Sequence, residues 1–350
     1  ERVSKQKFPV FAEERLFKPL GMKNSSWRDD YQRLVPNRAQ AYSRNAKSEW
    51  RLEMPFMNVY GNGGMLTTVG DWLKWNAMLD SRSLGAPLVE AMETRGVLND
   101  GRTIPYALGI IVSEYKGIRE ISHGGATAGY LTFLARYPDK KLSVAVMCNG
   151  APQNPAGIGH SVVDEILGPF PVVPEPETID LPESKLQQYV GLWANEKTHL
   201  AETTSIEKGA LRFGNAPLKA LPDGSFRLGG SSVKFVLGAD GKPAFMDVEN
   251  GGATERWTAK KSWTPTAAEL AAIAGEWYSV EAQVTLSVVV ENGKVAVVKK
   301  PEYRLELKPT FKDHLTAGAG RVVWVTRKAN GAIDRLHVGA GRMRDMVFRR

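Results

Sequence analysis

Two stretches of this chain repeat each other, and the repeat limits its second half to one kind of architecture. "LQQYVGLW" at Leu186 to Trp193 matches "LAAIAGEW" at Leu270 to Trp277, and "VKFVLGADGKPAFMDV" from Val233 matches "VVWVTRKANGAIDRLHV" from Val322. Each later stretch reads as two strands around a turn, at Asp240-Gly241 in one copy and Asn330-Gly331 in the other. Many short alternating strands separated by Gly and Asn turns predict two small antiparallel β-barrels in tandem, over 183–261 and 262–350. The Gly-x-Trp heading each copy is expected to plug one barrel end, as part of the core.

Ahead of the barrels, "PFPVVPEPETIDLP" is rich in proline and acid, and reads as an extended linker over 169–182. Residues 1–168 are then a separate domain. "FPVFAEERLFKPLGM" spaces Phe8, Phe11, Leu16, Phe17 and Leu20 near helical period, with Pro19 and Gly21 to end the helix. "GNGGMLTTVGDWLKWNAML" places a glycine-rich turn before a second helix, where Thr68 and Asp71 have capping-box spacing. "YALGIIVSEYKGIREISHGG" supplies strands broken at Tyr115-Lys116-Gly117, and "LTFLARYPDKKLSVAVMCN" a hairpin turning at Pro138-Asp139-Lys140. The expected fold class is α/β of the α+β type, an antiparallel sheet with helices around it.

Composition excludes several functions. Of 350 residues 43% are apolar and 24% charged, as in ordinary globular proteins, and no apolar run is long enough to span a bilayer. The single cysteine, Cys148, stands in "LSVAVMC" and reads as a small buried hydrophobe without a disulfide partner. The net charge of +8 is concentrated after Val290, where 14 Lys/Arg face 6 Asp/Glu. Those basic residues alternate with Val, Leu and Trp, as on the wet face of a barrel, and no nucleic-acid-binding motif accompanies them. There is no Gly-x-Ser-x-Gly elbow, His-Glu-x-x-His or P-loop. The histidines (His123, His160, His199, His314, His337) lack ligand spacing, and "GNGG" at Gly61 to Gly64 lacks the strand and acidic residue of a dinucleotide site. No metal or cofactor is expected.

Four motifs carry a resemblance. "RLFKPLGMKNSSW" (Arg15 to Trp27), "AQAY" (Ala39 to Tyr42), "GNGGMLTTVGDWLKWNAML" (Gly61 to Leu79) and "HGGATAGYLTFLARYPDKKLSVAVMCN" (His123 to Asn149) are similar, in order and spacing, to the second half of the penicillin-recognising serine hydrolases. This is the class C β-lactamase, DD-peptidase and esterase superfamily; the tandem barrels resemble those of its D-aminopeptidase branch. The resemblance implies that residues 1–168 are the C-terminal half of a β-lactamase/transpeptidase-like domain. It also implies that His123-Gly124-Gly125 matches the Lys/His-x-Gly triplet on the strand beside the nucleophile. Gly124 and Thr127 would then line the substrate, Gly125 would leave room for its backbone, and Ala126 N–H would supply half of an oxyanion hole. His123 would donate to the substrate or join the proton relay.

The family's nucleophile, the serine of Ser-x-x-Lys, and its Tyr-x-Asn precede the helix with which this sequence opens. Three local matches stand elsewhere: Ser4 to Lys7 immediately before the first helix, Ser231 to Lys234 in a barrel, and Tyr60-Gly61-Asn62 in the glycine-rich turn. None occupies the family's position, so no nucleophile is expected among these residues. The expectation is a fragment of a serine hydrolase, inactive by itself, whose other wall comes from a preceding segment or a companion chain; a homodimer is the alternative partner. The resemblance implies a small peptide, amide or ester substrate, D-amino-acid amides and peptides first, and a periplasmic or secreted location. The competing expectation is a non-catalytic module whose barrels hold an acidic ligand or partner.

Overall fold

Residues 111–148 alternate apolar and polar side chains between turn signals, and in the computed structural model they form a four-stranded antiparallel meander. The structure describes every residue except 46, 57, 59, 62, 172–173, 251–252, 300–302, 319 and 342. The chain divides into two units, Glu1–Val173 and Pro174–Arg350. In order, the first contains α1 (Phe8–Ala12), β1 (Ser26–Trp27), β2 (Tyr42–Arg44), β3 (Trp50–Leu52), β4 (Met65–Leu66), α2 (Val69–Ser81), α3 (Ala86–Glu93), β5 (Ile111–Tyr115), β6 (Ile118–Thr127), β7 (Tyr130–Tyr137), β8 (Leu142–Cys148), β9 (Gly150–Ala151) and α4 (Pro155–Leu167).

The meander is β5-β6-β7-β8. Its turns fall where the sequence places them, at Lys116-Gly117, both with positive φ, and at a 3-10 turn over Pro138–Lys140. α4 packs on β7 and β8 around Phe133, Ala135, Tyr137, Val144 and Val163. Gly159 permits that approach, since a Cβ there would lie 2.7 Å from the Phe133 ring. The buried Glu120 carboxylate accepts hydrogen bonds from Tyr137 Oη (2.6 Å), His160 Nε2 (2.7 Å) and Ser122 Oγ (2.9 Å), so the charge is fully partnered. Cys148 is only half-buried, not buried as expected, because it ends β8 opposite Leu131, where the sheet runs out.

The first helix is shorter than its periodicity suggests: α1 gives way to a π-helical turn over Glu13–Phe17. Both still turn Ala12 and Phe17 into a core with Met22, Trp27 and Met65. At α2, Thr68 Oγ1 accepts the Asp71 N–H (3.3 Å), which is half of a capping box. The Asp71 carboxylate turns instead to Asn24 N–H (2.8 Å), Ser25 Oγ (2.9 Å) and Lys74 Nζ (2.9 Å). The expected local cap is therefore a tertiary clamp between two of the four motifs.

The second unit holds two sheets that nearly or fully close. Nine strands make the first, in which Gly191–Ala194 pairs with both Ala201–Glu207 and Ala253–Lys260; its two edge strands, Ala216–Pro217 and Lys219–Ala220, are separated only by Leu218. Eight strands in sequential order make the second, and Tyr278 and Arg349 exchange two backbone hydrogen bonds (2.7 and 2.8 Å) that join its first strand to its end. Closure removes the open edges that invite association. Trp193 and Trp277 are nearly fully buried in the two cores, their indole N–H groups donating to Thr204 Oγ1 (2.8 Å) and Ile273 O (3.0 Å).

The repeat extends to irregularities. A β-bulge follows Val236 in one copy and Thr326 in the other, and the next turns are closed alike, by Gly238 N–H to Lys242 O and Lys328 N–H to Ala332 O. The second half of the proline-rich run belongs to the first barrel, since Ile179 N–H donates to Ala220 O (2.9 Å) and Leu181 packs on its core. Among the described residues no helix is long and apolar enough to cross a membrane.

Candidate active site

All five residues singled out in the sequence, His123 to Thr127, lie on the distal half of β6. β7 pairs along their whole length, from His123↔Leu134 to Thr127↔Tyr130, whereas β5 stops at Ile111↔Ser122. In an antiparallel ladder successive residues point their N–H and C=O groups to opposite sides. Beyond Ser122, every second residue of β6 therefore turns its amide away from β7, and among the described residues no other backbone takes it up. Gly124, Gly125 and Ala126 are exposed there, and His123 and Thr127 half-buried. The strand carries an open, solvent-facing edge five residues long.

The glycines differ in what they make room for. A Cβ on Gly125 would lie 2.5 Å from Thr132 Oγ1, the side chain opposite it on β7, so a larger residue there must turn that hydroxyl aside. A Cβ on Gly124 would meet only Thr132 O at an ordinary 3.5 Å. A third glycine, Gly129 in the β6–β7 turn, is the most confined: a Cβ there would overlap the Tyr42 carbonyl and lie 2.5 Å from Tyr42 N. Its approach seats the Ala39–Tyr42 segment against the hairpin tip. Tyr130 Oη donates to Ala39 O, Asn149 Nδ2 to Gln40 O (2.8 Å) and Tyr42 N to Asn149 O (2.8 Å). Gly129 and Tyr130 stand inside the quoted "HGGATAGY" but were not expected at the site.

His123 is oriented at both ring nitrogens. Nδ1 lies 2.5 Å from Gly124 O, and a carbonyl only accepts, so Nδ1 carries the proton. In the neutral ring Nε2 is then an acceptor, and Tyr106 Oη, 3.1 Å away, donates to it. Tyr106 reaches this place because its segment bridges to Ile111 at the start of β5. It is a third site residue that the sequence did not reveal; nothing in its local pattern distinguishes it from a core aromatic.

The two remaining motifs meet each other around Asp71. Burial would raise this carboxyl, but hydrogen bonds from Lys74, Asn24 N–H and Ser25 outweigh it and hold its pKa below the usual carboxylate value. Of the three local nucleophile matches, Ser4 sits in the turn before α1, where its Oγ accepts Gln6 N–H (3.3 Å). Ser231 begins a strand of the first barrel, and Asn62 of Tyr60-Gly61-Asn62 lies outside the described residues. Among the described residues no serine hydroxyl is hydrogen-bonded to a lysine or a histidine.

Residues 1–165 match the β-lactamase family model. The first unit is thus a β-lactamase-like α/β domain of antiparallel sheets, followed by two nearly closed β-barrels. Over 137 residues the chain is 25% identical to a D-aminopeptidase of Brucella anthropi, a match that takes in 39% of this chain and 26% of that protein. Among solved structures it is similar to the octameric penicillin-binding protein homologue from Pyrococcus abyssi (15% identity, TM-score 0.44, 100% of this chain and 61% of that one). It is also similar to the D-amino acid amidase from Ochrobactrum anthropi SV3 (20% identity, TM-score 0.37, 47% of this chain and 55% of that one). The chain spans about a quarter of the curated relative, 26% of its length.

Proposed function

We propose that the open edge of β6 is one wall of an acyl-transfer site, and that the protein is a serine hydrolase acting through an acyl-enzyme on amide or ester bonds. The observation that carries this reading is the free edge of His123–Thr127, paired with β7 on one side and left by β5 on the other, where a substrate backbone can lie as an added strand. A serine facing this edge attacks the carbonyl carbon, and charge develops on its oxygen. Ala126 N–H, fixed in the strand before reaction, is the donor we assign to that oxygen. His123 meets the substrate through Nε2, the nitrogen it shares with Tyr106, so the two side chains handle a proton as a pair. Similarity to a D-aminopeptidase favours D-amino-acid amides and peptides as substrates.

The test is to label the protein, as isolated from its host cells, with a fluorescent phosphonate that reacts with activated serines, and to map the labelled residue. Labelling that competes with a D-amino-acid amide and is lost in His123→Ala supports the reading. Absence of labelling together with absence of D-amidase and esterase turnover overturns it.

A further inference from the structure

Among the described residues of the first unit two arginines are buried, and one of them is neutralised. Arg136, 3% exposed, is gripped by Asp80 and Glu93. Arg28, equally buried at 3%, has no such partner: Nη1 reaches only Pro55 O at 3.3 Å, and Nε has no acceptor. Arg38 is half-buried over the Tyr130 ring, 5.9 Å from its centroid, and both Nε and Nη2 are buried without an acceptor. Among the described residues neither guanidinium makes an ion pair. Arg28 also lies in the field of Arg38: desolvation first, and then Arg38, hold the Arg28 pKa below its ordinary value, with Tyr130 opposing.

A buried and a half-buried guanidinium, neither able to shed its proton, call for an anion. Its shape is indicated by the free edge of Arg38. The Nε/Nη2 edge of a guanidinium matches the two oxygens of a carboxylate. Among the described residues that edge is used twice: Arg256 Nε and Nη2 hold Asp247 at 2.8 and 2.7 Å, and Arg327 Nε and Nη2 hold Asp313 at 2.8 and 2.6 Å. At Arg38 the same edge is buried and vacant of any acceptor among the described residues.

We propose that Arg28 and Arg38 form a carboxylate-binding site beside the β6–β7 hairpin tip, with Arg38 as the bidentate clamp and Arg28 as the buried second charge. Tyr130 ties the site to the hairpin, since it pairs with Thr127, donates to Ala39 O and lies under Arg38. The carboxylate comes from a small acid in solution or from an acidic side chain of a polypeptide seated there. The proposal stands independently of the hydrolase reading.

The probe is sodium acetate, titrated against the 15N-labelled chain at constant ionic strength set with chloride, with the arginine Nε–H signals assigned by Arg28→Lys and Arg38→Lys. We expect the Arg38 signal to shift and gain protection from exchange saturably, with acetate bound about tenfold more weakly in Arg38→Gln, the loss of one charge-assisted pair. Arg38 is half-exposed, so this variant should fold even where Arg28→Gln does not. Repeating the titration on the protein as isolated from its host cells separates the sources. A saturable response there assigns a soluble acid; an Arg38 signal already protected and indifferent to acetate assigns a polypeptide carboxylate. Unprotected signals that ignore acetate in both samples overturn the proposal.

Discussion

His314 Nε2 donates to His199 O across 2.7 Å, joining the second barrel to a loop of the first. Because a carbonyl only accepts, the neutral ring takes its other hydrogen bond at Nδ1, from Thr310 Oγ1 at 2.6 Å. The stack continues through His199 on Trp324 and Trp324 on His337, with His337 Nδ1 held by Asp345 at 2.7 Å.

This arrangement predicts acid sensitivity of the barrel pair. Burial lowers the His314 pKa to about 4, and burial likewise lowers that of His199, with Asp345 and Glu196 opposing. Above the unfolded value of 6.5 both states are neutral and stability is at its full value. Between 6.5 and about 4 the unfolded chain takes up the proton first, so stability falls as pH falls, by about 3 kcal/mol for His314. Urea unfolding followed by tryptophan fluorescence at a series of pH values should give this slope, and His314→Gln should flatten it.

Gly129 against the Tyr42 backbone predicts a steric lesion. Neither backbone can yield without opening the hairpin tip, so Gly129→Ala should lower the stability of the first unit by about 1–3 kcal/mol. Gly124→Ala, which meets only an ordinary contact, should change it by less than about 0.5 kcal/mol. Thermal melts of the two variants provide the comparison; equal melting temperatures would refute the close approach.

At Gly125 the sheet and the proposed substrate path can be separated. Gly125→Ala alone should destabilise, because its Cβ meets Thr132 Oγ1. Adding Thr132→Ala should restore the melting temperature. If substrate lies on this edge, the double variant, assayed in the protein as isolated from its host cells, remains slow in hydrolysis although it is stable; recovered turnover would move the substrate elsewhere.

Asp71→Ala should cost about 2–3 kcal/mol, since Asn24 N–H, Ser25 and Lys74 lose a common acceptor. The wild-type contribution is present above the usual carboxylate pKa and is lost as pH falls through the depressed folded value. A denaturant series on the variant should show the lower midpoint and a weaker response to acid.

The sequence by itself determined the elements and their arrangement into repeats. Turn residues such as Asn330-Gly331, the alternation along Leu142–Cys148 and the spacing of Trp193 and Trp277 are short-range signals, because pleat, turn geometry and helical period are set by neighbouring residues. The placement of the His123–Thr127 stretch on a strand was legible for the same reason. Tertiary structure alone decided how that stretch is used: that β5 ends at its pair with Ser122, that Tyr106 reaches His123, that Gly129 admits Tyr42, and that Asp71 caps a partner 47 residues away rather than its own helix. Polar side chains find partners wherever folding leaves them, and a local pattern holds no record of those distances. The unneutralised Arg28 and Arg38 became visible for that reason only when burial and missing acceptors could be seen together.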